Sequence, residues 1–427
     1  MNGCKDAELR IPLTMAMLPV VVGFTESVAK ILGLDEARSL RLGLAVEELF
    51  AFLAPQAQRE EMIFLWARPG GYFVEMVCRV PALALPTRLM NKTAKMDLEN
   101  EELLPELGIL LAARMVDRFR LVMESDTEMA LYFLVEKQYP ELTAQFLPPP
   151  PGNYRYHTGS REELKQFSLQ TSSAYQEAPD FFRFPGKVVD MVNSGAYEAV
   201  LATDDKGNVG GGMIWMRSGN LLEAYGPYVF QADLADGIVE KMLATVARSG
   251  ALSLVVRKPT AEIPQHYFEE LVPDSSAFSE ESPAGNTVLY RQLAEDTGMV
   301  VFVPAVLKDF VTECYDRLVL PRDIVWVEPA GEKQGEHSVF SVTVDGTQKQ
   351  AVITALLAGA DARTVLQDYV SSLLKQGLTK LFFELDTGKE AEAMLATDLG
   401  EAGFTPAYVL PWGGQGDVIV FQYRGGA

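Results

Sequence analysis

Three groups able to move protons lie in the central part of the chain. Glu223 falls in an apolar run, Leu221 to Phe230, that reads as a strand. A carboxylate on a half-buried strand is costly unless a partner holds it or a reaction uses it. His266 and Tyr267 are adjacent in Ile263 to Leu271, which reads as a short helix. Either ring serves as an acid where a reacting atom comes within hydrogen-bond reach. The stretch Tyr225-Gly226-Pro227-Tyr228-Val229-Phe230 puts aromatics beside a chain bend, which suits a pocket wall or ordinary core packing. Gly210-Gly211-Gly212 inside a strand pattern marks a bulge or a close backbone approach. The Gly-rich turn Leu410 to Asp417 joins two strands and opens no helix, so no phosphate loop is read there. The three histidines have no metal-ligand spacing. Three scattered cysteines, an odd number, argue against a disulfide framework and for a reducing cytosol.

These groups need elements to hold them. Ser160 with Glu163 is a capping-box pattern opening a helix. Strands are expected at Tyr197–Thr203, Val209–Met216 and Leu221–Phe230. A helix follows at Ala232–Ser249, then strands at Ala251–Arg257 and Thr287–Leu293. Asp274–Asn286 reads as a mobile loop. A similar order recurs after Thr297-Gly298: strand Val300–Val303, helix Ala305–Leu318, strands Ser338–Val344 and Gln350–Leu357, helix Ala362–Gln376 and strand Leu378–Leu385. A helix through Leu399 and strands near Tyr408 and at Val418–Tyr423 complete it. This order reads as an internal repeat of domain size. Upstream, helical spacing is seen at Leu40–Leu53 and Leu107–Val122, and strand alternation at Tyr72–Val80 and Ala130–Val135. The run Pro148-Pro149-Pro150-Pro151-Gly152 is a semi-rigid spacer.

Length and charge set the outer limits. A chain of 427 residues exceeds one ordinary core. No run reaches the length of a membrane span, and Met15 to Phe24 is interrupted by Pro19. No signal peptide is read, and a cytoplasmic location is expected. The net charge is −21, with 15 Lys/Arg against 21 Asp/Glu in residues 1–147 and 22 against 37 in 148–427. Such a field repels phosphate backbones and anionic lipid, so neither nucleic acid nor membrane is an expected partner.

The first part resembles the histidine-kinase-like ATPases of the anti-sigma-factor type. The residues that carry the resemblance are Leu42-Gly43-Leu44-Ala45-Val46-Glu47-Glu48-Leu49-Phe50-Ala51 and Leu107 to Asp117. In that family an Asn after the double Glu holds magnesium; Phe52 stands in its place and has no oxygen to offer. The adenine-reading Asp-x-Gly-x-Gly is replaced by Pro81-Ala82-Leu83-Ala84-Leu85, and only Gly108 of the later glycines remains. The resemblance therefore implies a degenerate domain that does not bind ATP. It also implies a helical protein partner, sigma-like or an antagonist.

The later parts resemble the GCN5-related N-acetyltransferase (GNAT) fold. That family holds the pyrophosphate of coenzyme A on a glycine-containing turn opening a helix. The matching turn here is Phe230-Gln231-Ala232-Asp233-Leu234-Ala235-Asp236-Gly237, with Leu234 and Asp236 where small residues belong. The second such part has Ala358-Gly359-Ala360-Asp361-Ala362-Arg363, also without the pattern. The family's thiolate-protonating Tyr falls on Leu399 in the last part and on Phe268 in the middle one, beside His266 and Tyr267. Glu223 matches the position of an amine-deprotonating base. Tyr228, Phe230, Gln231 and Gly237 would face a bound acetyl-CoA.

The expectation is an α/β (α+β) chain in three parts. Residues 1–147 form a degenerate ATPase α/β sandwich, 148–152 a linker, and 153–297 and 298–427 two GNAT-like mixed-sheet domains. The expected function is regulatory, binding a protein or small molecule. The alternative is an acyl-CoA-dependent N-acetyltransferase using Glu223 with Tyr267 or His266. No metal is expected.

Overall fold

The computed structural model describes residues 6–58, 61–81, 91, 112–124, 128–143, 145–273, 287–328, 335, 337–346 and 348–425. The chain divides into two compact units. The first comprises Met1–Gln138, Gly335–Thr343 and Ala355–Ser372; the second comprises Tyr139–Gln334, Val344–Thr354 and Leu373–Ala427. The proline run lies within the second.

In the first unit, β1 (Ala7–Pro12), β2 (Met62–Pro69), β3 (Phe73–Pro81), β4 (Arg118–Met123) and β5 (Glu128–Glu136) form one antiparallel sheet. Their order is β1-β2-β3-β5-β4. Helices α1 (Leu18–Ile31) and α2 (Glu36–Leu53) pack on one face of it. The apolar run around Pro19 forms α1, with the proline in the first turn where its missing N–H costs nothing. Asp35 caps α2 by accepting the Arg38 N–H at 2.8 Å. The buried stripe of α2 is Leu42, Val46, Leu49 and Leu53, while Leu40 is 48 % exposed. The sequence therefore placed that helix face slightly off. It also extended a helix to Val122. Helix is present at 112–115, and Arg118–Met123 is strand β4, with Phe119 and Leu121 buried in alternation. Period two over so short a run was hidden by the apolar residues before it. Residues 107–111, Pro81's successors Ala82–Leu85 and the loop Asp274–Asn286 lie outside the described residues.

The second unit contains β6 (Arg155–His157), α3 (Arg161–Ala174), α4 (Pro185–Asn193), β7 (Tyr197–Thr203), β8 (Val209–Ser218), β9 (Leu221–Val229), α5 (Ala235–Val246), β10 (Ser253–Val256), β11 (Glu269–Glu270) and β12 (Leu289–Gln292). They make a sheet ordered β11-β12-β10-β9-β8-β7-β6. Only the β9–β10 pair is parallel, joined by the α5 crossover. The Ser160–Glu163 capping box is present. Helix α5 covers the face bearing Leu222, Ala224 and Trp215, and α3 with α4 covers the face bearing Ile214, Tyr228 and Phe230. The expected helix at Ile263–Leu271 is only a 3-10 turn, Gln265–Tyr267, followed by β11. Arg291 donates to the Tyr267 carbonyl at 2.7 Å, the acceptor a longer helix would need.

The glycine run of β8 sits at two register shifts, Ala202/Thr203 and Gly212/Ile214. A side chain on Gly211 would come within 2.7 Å of the Tyr228 carbonyl. Both readings of that run therefore hold.

Further along, β13 (Met299–Pro304), α6 (Lys308–Leu318) and β14 (Arg322–Val327) form a parallel β-α-β pair. The last sheet is ordered β15 (Val339–Asp345), β16 (Gln350–Leu357), β17 (Lys380–Asp386), β19 (Val418–Tyr423), β18 (Phe404–Leu410). Helix α7 (Ala362–Lys375) lies between β16 and β17 in the chain, and short helices α8 (Glu390–Ala393) and α9 (Ala396–Glu401) precede β18. The β16–β17 step is parallel, as β9–β10 is. The order β15-β16-β17-β19-β18 repeats β8-β9-β10-β12-β11. The β13–β14 pair departs from it, since β6 and β7 are antiparallel. No helix among the described residues is long and apolar enough to cross a membrane.

Candidate functional site

The parallel strands β9 and β10 pair only over Leu221–Glu223 and Ser253–Val255. β9 then continues to Val229 while β10 ends at Val256. The strands part at their C-terminal ends, where open α/β sheets hold ligands. The groups at this crevice are already engaged with one another. Tyr175 donates its hydroxyl to the Val229 carbonyl at 3.1 Å and accepts the Val229 N–H at 2.9 Å. Thr260 donates to the Pro227 carbonyl at 2.7 Å. The edge that β9 opens is thus bonded by side chains.

Arg257 follows β10 directly. Its Nε lies 3.2 Å from Glu223 and its Nη1 2.6 Å from Glu384 of β17. Burial works against the guanidinium's charge, and the two carboxylates outweigh it. Burial, and then the Glu223 charge, push the Tyr225 hydroxyl well above its ordinary value. Burial likewise pushes Tyr408 up to about 12, with Arg257 acting against it.

Lys258 comes next and makes no hydrogen bond or ion pair among the described residues. Burial, then the like charge of Lys380, pull its ammonium from 10.5 down to about 8, against Asp345 and Glu177. The folded value lies below the unfolded one. Between them the unfolded chain binds more protons, so stability rises with pH across that window and the full cost is present below it. Lys258→Met is expected to abolish this rise and to stabilise the protein by about 1–2 kcal/mol near neutral pH, after allowance for solvent screening. Urea denaturation on either side of the window measures it. A rise of the same slope in the variant would refute the assignment.

The expected catalytic residues are not brought together. Glu223 and Tyr225 lie on the α3/α4 face, and Tyr267 packs with the α5 core on the other face. Tyr267 donates to Glu240 of α5 at 2.8 Å, and exposed His266 lies 3.9 Å from Asp236. Among the expected cofactor contacts, Tyr228 and Phe230 are buried in the α3/α4 core. The Gln231 N–H donates to the Gly210 carbonyl at 3.1 Å. Asp233 takes a positive φ of 63°, and Leu234 stands at the N-cap without a side-chain cap. A side chain on Gly237 would meet the Tyr156 hydroxyl at 2.2 Å, so that ring lies over the first turn of α5. Exposed Asp233 and Asp236 with an overlying phenol do not fit a diphosphate. A groove of about 350 Å³ lined by Tyr156, His157, Val200, Lys241 and others includes none of the expected site residues.

In the first unit, burial and then Glu47 raise the Glu48 carboxyl above its ordinary value. Phe52 packs partly buried against the core. No group of His, Cys, Asp and Glu among the described residues could hold a metal.

Sequence reasoning missed Arg257, Lys258, Tyr175 and Glu384. The run Arg257-Lys258 ending an apolar strand was a usable signal; nothing in sequence marked Tyr175.

No family model matches the chain, and no curated protein matches it. Similar solved structures include a GNAT-family acetyltransferase from Staphylococcus aureus, at 13% identity over 33% of this chain and 99% of that one, with a TM-score of 0.24. A second is an N-acetyltransferase from Thermoplasma acidophilum in complex with coenzyme A, at 12% identity over 33% and 98%, TM-score 0.24. A third is a phosphinothricin acetyltransferase from Sinorhizobium meliloti in complex with acetyl-CoA, at 14% identity over 34% and 91%, TM-score 0.24. Likeness at this level carries neither a site nor a substrate to this chain.

Proposed function

We propose that this chain is a regulatory binding protein and not a working acyltransferase. In this reading, residues 1–147 are a degenerate anti-sigma-like ATPase domain that docks a helical protein partner. Residues 153–297 are a GNAT-like domain that senses a small molecule, and 298–427, of which 335–343 and 355–372 cluster with the first unit, are a second GNAT-like domain; the 148–152 run lies inside the second unit and marks no boundary between the units. The observation that carries the reading is Arg257. It engages Glu223, the carboxylate that the resemblance reads as a base, and Glu384 shares the same guanidinium. Two further features support it: the acidic start of α5 under Tyr156, and Phe52 packed against the first unit's core. The repeated strand order supports two related domains.

Calorimetric titration of acetyl-CoA into the full chain tests this. No saturable heat is expected up to millimolar ligand. Micromolar binding, or release of free thiol when an amine is added, would overturn the reading.

The second reading, an N-acetyltransferase with Glu223 as base and Tyr267 or His266 as acid, is favoured by the parting of β9 from β10 alone. It requires Arg257 to release Glu223 and the 3-10 turn to move. The same titration decides between them.

A further inference from the structure

Lys258 has no part in either reading of the crevice. Its backbone is held on both sides. Just before it, Arg257 grips Glu223 at 3.2 Å and Glu384 at 2.6 Å. Just after it, Thr260 donates to the Pro227 carbonyl at 2.7 Å. These two anchors fix Lys258 past the C-terminal end of β10, where β9 runs on alone. The residue is half-buried. Its ammonium makes no hydrogen bond or ion pair among the described residues. Lysines leave water this far only rarely unless a partner holds them.

The charges around it are set by the turn between β15 and β16, which belongs to the same unit. That turn is tied to the segment after α3. The Gln348 side chain donates to the Glu177 carbonyl at 2.8 Å, and the Gly346 N–H donates to the Asp180 carboxylate at 3.2 Å. Asp345 accepts the Gln348 N–H at 3.0 Å. The Lys380 N–H donates to the Lys349 carbonyl at 3.1 Å, so β17 starts beside the same turn. Lys380, Asp345 and Glu177 therefore all act on the Lys258 charge, and none of them bonds to it.

An amine shielded from water beside a second cation gives up its proton readily, and the free amine is the nucleophile. With Lys258 pulled down to about 8, about a quarter of it is free at about pH 7.5, against about one in a thousand for an ordinary lysine. Two carboxylates against the one cation, Lys380, leave no positive field to draw an anion. We propose that Lys258 is a covalent capture site for a small uncharged aldehyde, made reactive by its burial and by Lys380 where β9 parts from β10. The amine nitrogen adds to the carbonyl carbon, forming a C–N bond and a carbinolamine. The carbonyl oxygen then leaves as water and an imine remains, with nothing oxidised or reduced. Acetyl-CoA takes no part, so this proposal and the binding reading above fail separately.

Acetaldehyde with sodium cyanoborohydride tests it on the full native chain, at less than one label per molecule, read by peptide mass spectrometry. The hydride donor reduces the imine and fixes the label. Near pH 7.5, Lys258 should react about tenfold faster than exposed Lys206 and Lys375, a less basic amine being the weaker nucleophile. Its rate should level off above about pH 8, while those of the exposed lysines keep rising. Lys380→Met, with an unchanged thermal melt, should slow Lys258 about twofold or more at about pH 7.5. Glyoxylate, an anionic probe, should give Lys258 a smaller lead over the exposed lysines. Labelling of Lys258 no faster than Lys206 and Lys375, a rate still climbing near pH 10, an unchanged rate in Lys380→Met or a larger lead with glyoxylate would each overturn the proposal. The first two of these readouts use the native chain and stand without the variant.

Discussion

Arg322→Ala is expected to cost the second unit about 3–5 kcal/mol, because it strips the counter-charge from two buried carboxylates. Arg322 is 1 % exposed, Asp417 0 % and Asp296 4 %. The guanidinium grips Asp417 through Nε at 2.6 Å and Nη2 at 3.1 Å, and reaches Asp296 at 2.9 Å. Its Cζ is also 5.9 Å from the Tyr315 ring centroid and 5.5 Å from that of Trp412. Asp417 accepts the Trp412 N–H at 2.9 Å, and Asp296 accepts the Trp412 indole N–H at 3.1 Å. This cluster pins the Gly-rich Leu410–Asp417 turn to β14. Burial raises the Asp417 carboxyl above its ordinary value even with Arg322 beside it. Losing Arg322 therefore leaves a group that cannot stay charged cheaply. A fall of about 10 °C in the melting temperature is the expected readout, and Arg322→Ala/Asp417→Asn should recover part of it. A drop below about 1 kcal/mol would mean that solvent reaches the carboxylates once the arginine is gone.

That turn illustrates what the sequence could and could not convey. Its glycines and its place between two strands were legible. Its role was not, because the arginine that holds it lies in β14, far back in the chain. Local periodicity served well in the second unit, where β7, β8, β9 and α5 fall close to their expected bounds. There, alternation and turn residues agree with the packing. It failed at β4 and β14, whose mixed charged and apolar residues make sense only beside their sheet partners. Glu223 was recognised as a carboxylate needing either a partner or a task. The partner, Arg257, sits where β10 leaves the sheet, and only the parallel pairing of Glu223 with Val255 brings the two within reach. Tyr267 and His266 looked like neighbours of Glu223 because sequence order does not say which face of a sheet a later turn covers.

Arg257→Met should cost about 2–3 kcal/mol, less than Arg322 because its side chain is 22 % exposed and water can reach the freed carboxylates. The loss should not be that of one ion pair. Glu223 and Glu384 share a single guanidinium, so each supports the orientation the other uses. In a double-mutant cycle, Glu223→Gln and Glu384→Gln should deviate from additivity by about 0.5–1 kcal/mol. Additive losses would mean two independent pairs and no link between the crevice beside β9 and strand β17. The triple variant Arg257→Met/Glu223→Gln/Glu384→Gln should regain most of the lost stability, since no buried charge is left alone. The series also bears on function. A ligand entering beside β9 must either contact Glu223 while Arg257 holds it or compete for Arg257, and an anionic ligand would compete against two carboxylates at once. Glu384→Gln removes one competitor without touching the crevice walls. If the crevice takes an anion, that variant should bind it more tightly than the native chain; weaker binding would place Glu384 among the ligand's own contacts.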